Sequence, residues 1–344
     1  MRKNKTTQNT FRISRKAAFL LTGILICILG LTIAVHVYID KIKPRAAEVP
    51  LNNDSGCPAA LTVIRANDNK LINRLYFEES PTESSKFNVL KIDLSRIIFQ
   101  YTGKGSVQST SVYCKDLTDG SWMSIDGDRR FLPGSMTKVP IMIYYLMMKQ
   151  LHKIELNKEL LYVKPKQNFP SQVFKGDSIL DGRKYTISEL LKYMIVESDN
   201  NATHLLARNL ESEPFRRIFT DLEIPPDEIN DVNYQISAKE YSRFLMVLYN
   251  ATYLHRDASE KALELLTKCK FNSGITKMLP TGTVVAHKFG ECGRDNDITF
   301  GESAIIYLKD RPYLLTILTY GSQILDQTSL VSELSADIYH FMSN

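Results

Sequence analysis

The sequence predicts an α+β fold, an α/β sandwich. One five-stranded antiparallel sheet carries the two terminal helices, an all-helical subdomain is inserted between its strands, and a single N-terminal transmembrane helix precedes them. Three observations predict this. Residues 17–39 are 23 positions without a formal charge, enough to span a bilayer. Strand patterns cluster at 109–126 and again at 283–321, with helical periodicity between them. Amphipathic helical patterns flank that block at 89–101 and 325–342.

The elements follow in order. Residues 1–16 hold Arg2, Lys3, Lys5, Arg12, Arg15 and Lys16 and no acid, whereas Lys41, Lys43 and Arg45 after the apolar run stand beside Asp40. The positive-inside rule makes 1–16 a cytoplasmic tail, 17–39 a single-pass membrane anchor, and the remainder extracytoplasmic. A late-cleaved signal peptide is the alternative, though no clear A-x-A site follows the run. Residues 40–88, with NNDSG, RANDN and EESPTESSK, read as a tether, and Leu71, Ile72, Leu75, Tyr76 and Phe77 form an apolar cluster that would dock on the main domain.

That domain is set at 89–344. VLKIDLSRIIFQY is a helix stopped by GKG, and STSVYCKDLTDGSWMSID is a hairpin around TDG. Next comes the helix that opens with SMTK. Capping boxes at Thr186/Glu189, Ser237/Glu240 and Asp257/Glu260 start helices in the middle. TVVAHKFG, ESAIIYLK and PYLLTILTYG, separated by GRDND and DRP, form a three-stranded meander, and LDQTSLVSELSADIYHFM closes the chain as a helix. Joining the early hairpin to the late meander is the economical way to build one sheet. It leaves the SMTK helix at the seam between sheet and helical lobe, where ligand sites commonly lie.

Composition narrows the function. At 44% hydrophobic and 24% charged the chain is globular. Its net charge of +5 comes from the N-terminal tail: 43 less 6 basic residues against 38 acidic ones leaves the rest at −1. Nothing basic remains for nucleic acid, so no nucleic-acid partner is expected. Five cysteines and six histidines show no metal-ligand spacing, and neither metal nor cofactor is expected. The cysteines outside the apolar run permit a disulfide without demanding one.

Chemistry enters at FLPGSMTKVPIM. Ser135 and Lys138 stand three apart, and VPIMIYYLMM follows. A helix apolar all round is buried, and a buried lysine loses its proton more readily. A neutral lysine within reach can activate a serine as a nucleophile; a serine cap beside a solvated lysine is the plainer reading of the same letters. Two more polar clusters interrupt apolar surroundings: Ser198-Asp199-Asn200, which a helix N-cap alone would explain only in part, and His287-Lys288-Phe289-Gly290, which an edge-strand lysine could explain.

S-x-x-K, S-D-N and K-x-G in this order resemble the motifs of the class A β-lactamase-like, penicillin-recognising serine hydrolases. The resemblance covers about residues 89–344. It implies that Ser135 is acylated, that Lys138 is its general base, and that Ser198 relays a proton to the leaving nitrogen. It further implies that Asn200 binds the substrate amide and orients the lysine, that Lys288 faces the substrate carboxylate, and that Gly290 lets the strand lie against substrate. The N–H groups of Ser135 and Glu291 would form the oxyanion hole. The partners it implies are β-lactams or cell-wall peptides.

Two departures stand out. Phe289 stands where the family usually has threonine or serine; Arg294 in the following turn is a candidate replacement cation, a solvated turn arginine being the plainer reading. Between Asn200 and Ser237 the family's E-x-x-L-N is missing: if Ile229-Asn230 match its last two residues, Pro226 stands where the glutamate would, with Asp227 and Glu228 out of register. The expectation is therefore a slow hydrolase. A D-Ala-D-Ala-type peptidase or a non-turning-over sensing domain is the alternative, and the absence of G-x-S-x-G at Ser135 argues against an unrelated esterase. The sequence leaves oligomeric state open.

Overall fold

The computed structural model describes residues 62–65, 75–165, 172–225, 234–294 and 296–344. The tail at 1–16, the apolar run at 17–39, Leu71 and Ile72, and the segment from Pro226 to Asn230 lie outside these. Among the described residues no helix is long and apolar enough to cross a membrane.

In chain order the elements are β1 (Thr62–Arg65), β2 (Leu75–Glu79), α1 (Asn88–Gly103), β3 (Val107–Asp116), β4 (Trp122–Ile125) and β5 (Arg130–Phe131). A 3-10 turn (Gly134–Thr137) then leads into α2 (Lys138–Gln150). The helical lobe holds β6 (Glu159–Leu161), β7 (Lys184–Thr186), α3 (Ile187–Val196), α4 (Asn200–Ala207), α5 (Ser212–Asp221), β8 (Ile236–Ser237), α6 (Ala238–Tyr249) and α7 (Arg256–Leu266). The chain ends with β9 (Val284–Arg294), β10 (Asp297–Tyr307), β11 (Tyr313–Gly321) and α8 (Ile324–Ser343).

The five-stranded sheet has the order β4-β3-β11-β10-β9, antiparallel throughout, so the early hairpin and late meander do join. Successive residues of a strand face opposite sides. Ala304, Ile306 and Leu315 accordingly enter the core beneath α1 and α8, while Ile305, Leu314 and Leu318 enter the core shared with the helical lobe. In α8, Leu330, Leu334 and Ile338 repeat every four residues on the buried face. Each such side chain contributes about 1.5–3 kcal/mol when removed from water.

The hairpin β1–β2 belongs to the same compact unit as the strands and helices that follow it. β1 and β2 pair as a hairpin whose Ile64, Tyr76 and Phe77 join the main core. Glu79 seals the attachment by accepting the Tyr113 hydroxyl and pairing with Lys239 at 3.3 Å.

Two of the three capping boxes form: Thr186 with Glu189 and Ser237 with Glu240. The third does not. α7 is N-capped at His255, whose N–H is held by Gln150 Oε1 at 2.6 Å, so Asp257 falls inside the first turn and interacts there with the helix's positive end. The expected GRDND loop is also shorter, because β9 and β10 stay in register as far as Arg294 opposite Asp297.

Candidate active site

The nucleophile's position follows from a glycine and a turn. Gly134 has φ +52°, and a Cβ on it would come within 2.4 Å of the Glu291 carbonyl oxygen. Only glycine permits so close an approach of the turn to β9. Ser135 thus sits at the foot of α2 against the sheet's edge strand, and Lys138 opens the helix one turn later. Pro140 is tolerated because the first turn has no N–H partner to lose. The helix is buried from Lys138 to Leu146, as its composition requires.

Lys138 is 1% exposed, and its Nζ lies 2.8 Å from Ser135 Oγ, 2.6 Å from Ser198 O, 3.0 Å from Ser198 Oγ and 2.9 Å from Asn200 Oδ1. Burial, reinforced by the nearby charge of Lys288, pulls its proton affinity well below that of an ordinary lysine. Lys288 is fully buried and contacts Ser198 Oγ and Phe289 O, both at 2.9 Å. Desolvation pulls its pKa down to about 8, with Glu302 and Glu291 opposing the fall.

Ser198 bridges the two lysines through one hydroxyl. It adopts φ +54°, a left-handed conformation costing on the order of 1 kcal/mol for a non-glycine residue. That conformation turns both its carbonyl and its hydroxyl toward Lys138. Asp199 holds the neighbouring turn: it caps α4 through Asn201 N and Ala202 N and also accepts from Ser178 Oγ and Ile179 N.

The five polar side chains singled out from sequence, Ser135, Lys138, Ser198, Asn200 and Lys288, therefore form one connected group. Glu291 N lies beside Gly134, on an edge strand that leaves one row of N–H groups without a strand to bond. The missing Cβ of Gly290 admits the nucleophile turn, with Pro133 O at 2.2 Å and Met136 N at 2.7 Å from where it would stand. Arg294 lies at the exposed hairpin end of β9, opposite Asp297.

One site residue gave no sequence signal. Gln172 places its Nε2 3.4 Å from both Ser135 Oγ and Ser198 O. The segment carrying it is pinned by the Glu291 carboxylate, whose Oε1 accepts from Val173 N at 2.6 Å. Phe289 is buried, stacked on Phe271 at 4.1 Å and meeting Phe174 edge-on. Behind β9, Glu302 joins His287 Nδ1 at 2.6 Å and Ile275 N at 2.7 Å, tying the loop that bears Phe271 to the strand.

A serine hydroxyl, a buried lysine and a second serine bridging to a second lysine are the parts of acyl transfer through a serine ester. Residues 90–342 match the model of the β-lactamase enzyme family. The chain belongs to that family. Among solved structures, the TLA-1 extended-spectrum β-lactamase is similar at 17% identity and TM-score 0.63, covering 73% of this chain and 99% of its own. A β-lactamase from Chitinophaga pinensis matches at 16% and 0.62, covering 72% and 98%. A variant of PBP-A, solved as its acyl-enzyme complex with penicillin G, matches at 18% and 0.59, covering 72% and 94%. No curated protein is matched by the sequence.

Proposed function

We propose that this member of the β-lactamase enzyme family is a membrane-anchored, extracytoplasmic serine hydrolase that β-lactams and related amides acylate at Ser135. The observation that carries the reading is Lys138: a buried amine, poised toward its neutral form, 2.8 Å from Ser135 Oγ. The penicillin G acyl-enzyme of the similarly folded PBP-A variant supports the choice of substrate.

Neutral Lys138 takes the Ser135 proton as Oγ bonds to the amide carbonyl carbon. The carbonyl oxygen, now negative, accepts from the N–H groups of Ser135 and Glu291, each worth about 3 kcal/mol in comparable sites. The proton passes from Lys138 through Ser198 Oγ, 3.0 Å away, to the nitrogen as the C–N bond breaks. Lys288 holds the Ser198 hydroxyl in that path and offers a charge to a substrate carboxylate.

Release of the acyl group needs an activated water, and a positioned base contributes typically 10²–10⁴-fold. With Pro226 at the glutamate's aligned position, acylation should outpace release. Benzylpenicillin incubated with the full-length chain tests this by intact mass: a penicilloyl species that accumulates and persists is expected. Steady hydrolysis of a chromogenic cephalosporin at tens per second would sink the slow reading, and its loss in Glu228→Gln would name Glu228 as the base. The anchor is tested separately, since protease added outside intact cells should digest the chain beyond residue 40 and protection would refute it.

A further inference from the structure

A substrate acylated at Ser135 has to touch three walls at once: the nucleophile turn, the Ser198 loop and β9, where Glu291 offers its N–H to the carbonyl oxygen. Two consecutive residues already contact all three. Gln172 Nε2 lies 3.4 Å from both Ser135 Oγ and Ser198 O, and Val173 N donates to Glu291 Oε1 at 2.6 Å. Ser135 is left 7% exposed. A cavity of about 560 Å³ lies on the other side of this segment, bordered by Val173 to Asp177, Glu197 and Phe289. None of Ser135, Lys138, Ser198 and Lys288 lines it, so that opening stops short of the nucleophile.

The covering segment is held from both sides. On the β9 side Glu291 Oε1 also accepts from Phe174 N at 3.4 Å, and the Phe174 ring meets Phe271 at 4.8 Å and Phe289 at 6.1 Å, both edge-on. On the other side, the two carboxylates that flank Ser198 fasten the same segment. Glu197 Oε2 accepts from Asp177 N at 3.1 Å, and Asp199 accepts from Ser178 Oγ at 2.8 Å and from Ile179 N at 3.1 Å. Hydrogen bonds to a carboxylate are stronger than those between neutral groups. Residues 172–179 thus run from β9 to the Ser198 loop, tied down by three carboxylates and one aromatic ring. A reacting carbonyl carbon has to come within about 3–3.5 Å of its nucleophile. The Gln172 amide already occupies that distance from Ser135 Oγ.

We infer, on the acyl-serine reading above, that residues 172–179 are a strap that covers the nucleophile in the resting protein. Gln172 is the covering residue, and acylation requires its amide to leave Ser135. Glu291 is its positioning residue, acting through the N–H groups of Val173 and Phe174.

A fluorophosphonate reports access to Ser135: the Oγ–P bond forms as the P–F bond breaks, Lys138 takes the hydroxyl proton and fluoride leaves. On the full-length chain, Gln172→Ala should be labelled about tenfold faster than the unmodified protein. Hydrogen exchange of the same chain, read by mass spectrometry, should show the Val173 and Phe174 amides protected. Glu291→Ala should speed their exchange about tenfold while leaving the protection of β10 and β11 unchanged. Labelling of Gln172→Ala that is no faster than that of the unmodified chain overturns the inference. So does free exchange at Val173 and Phe174 in the unmodified chain, or protection there that Glu291→Ala leaves intact. If both chains are labelled at Ser135 at equal rates, the strap falls and the acyl-serine reading stands. If neither is labelled, both fall. Should Glu291→Ala fail to fold, the Gln172→Ala rate and the protection of the unmodified chain still decide.

Discussion

Lys138 Nζ has four oxygen neighbours, but an ammonium has only three protons. Either charge state can make three of these four bonds, but only the neutral amine has a lone pair to accept from Ser135 O–H, and burial favours that form. Lys138→Ala should therefore slow acylation by about 10²–10⁴-fold, measured by adduct formation under single turnover. The rate should rise with pH as Lys138 loses its proton. It should fall again near pH 8 as Lys288 loses its own, and Lys288→Arg should move that alkaline limb upward. Lys288 also bears on stability. Its folded pKa of about 8 lies below the free value of 10.5, so the unfolded chain binds more protons between the two. The penalty, about 3 kcal/mol, is fully present below pH 8 and is relieved as pH rises toward 10.5. Lys288→Met should be the more stable protein at pH 7 in urea unfolding, with its advantage shrinking above pH 8. An advantage that grows with pH would contradict this.

At the scale of elements, the 3-10 turn and β9 meet through two glycines, and both obstacles to a side chain are backbone. Gly290→Ala cannot be relieved by a rotamer change, because Pro133 O and Met136 N must move. The expected result is an overpacking loss of about 1–3 kcal/mol in denaturant unfolding, together with slower acylation as Ser135 shifts. The same elements show why the sequence was readable in part. Strand alternation in β9 to β11, the buried run of α2 and the boxes at Thr186 and Ser237 are local patterns, and local patterns survive in sequence. The cap at His255 depends on Gln150, about a hundred positions away, and leaves no local mark.

Over the whole molecule, the hairpin β1–β2 is part of the folded unit. Tyr76 and Phe77 are almost fully buried, and removing them forfeits roughly 1.5–3 kcal/mol each. A chain beginning at Pro81 should unfold at lower denaturant than one beginning at Ala59, and equal midpoints would refute the docking. The sequence suggested that an apolar cluster of the tether docks on the main domain, and its Tyr76 and Phe77 do enter the core; that they do so as two paired strands left no local mark. The candidate site followed the same division. Ser135, Lys138, Ser198, Asn200 and Lys288 were legible as motif letters with chemical reasons to converge. Gln172 was not, since it reaches Ser135 by tertiary packing alone.

The central claim is that Ser135 is the atom acylated, and peptide mapping after reaction with benzylpenicillin or its methyl ester tests it directly. The account predicts a single acyl mass on the peptide containing Ser135, absent in Ser135→Ala while that variant still unfolds cooperatively. An acyl group on another residue, or undiminished labelling of Ser135→Ala, would contradict it.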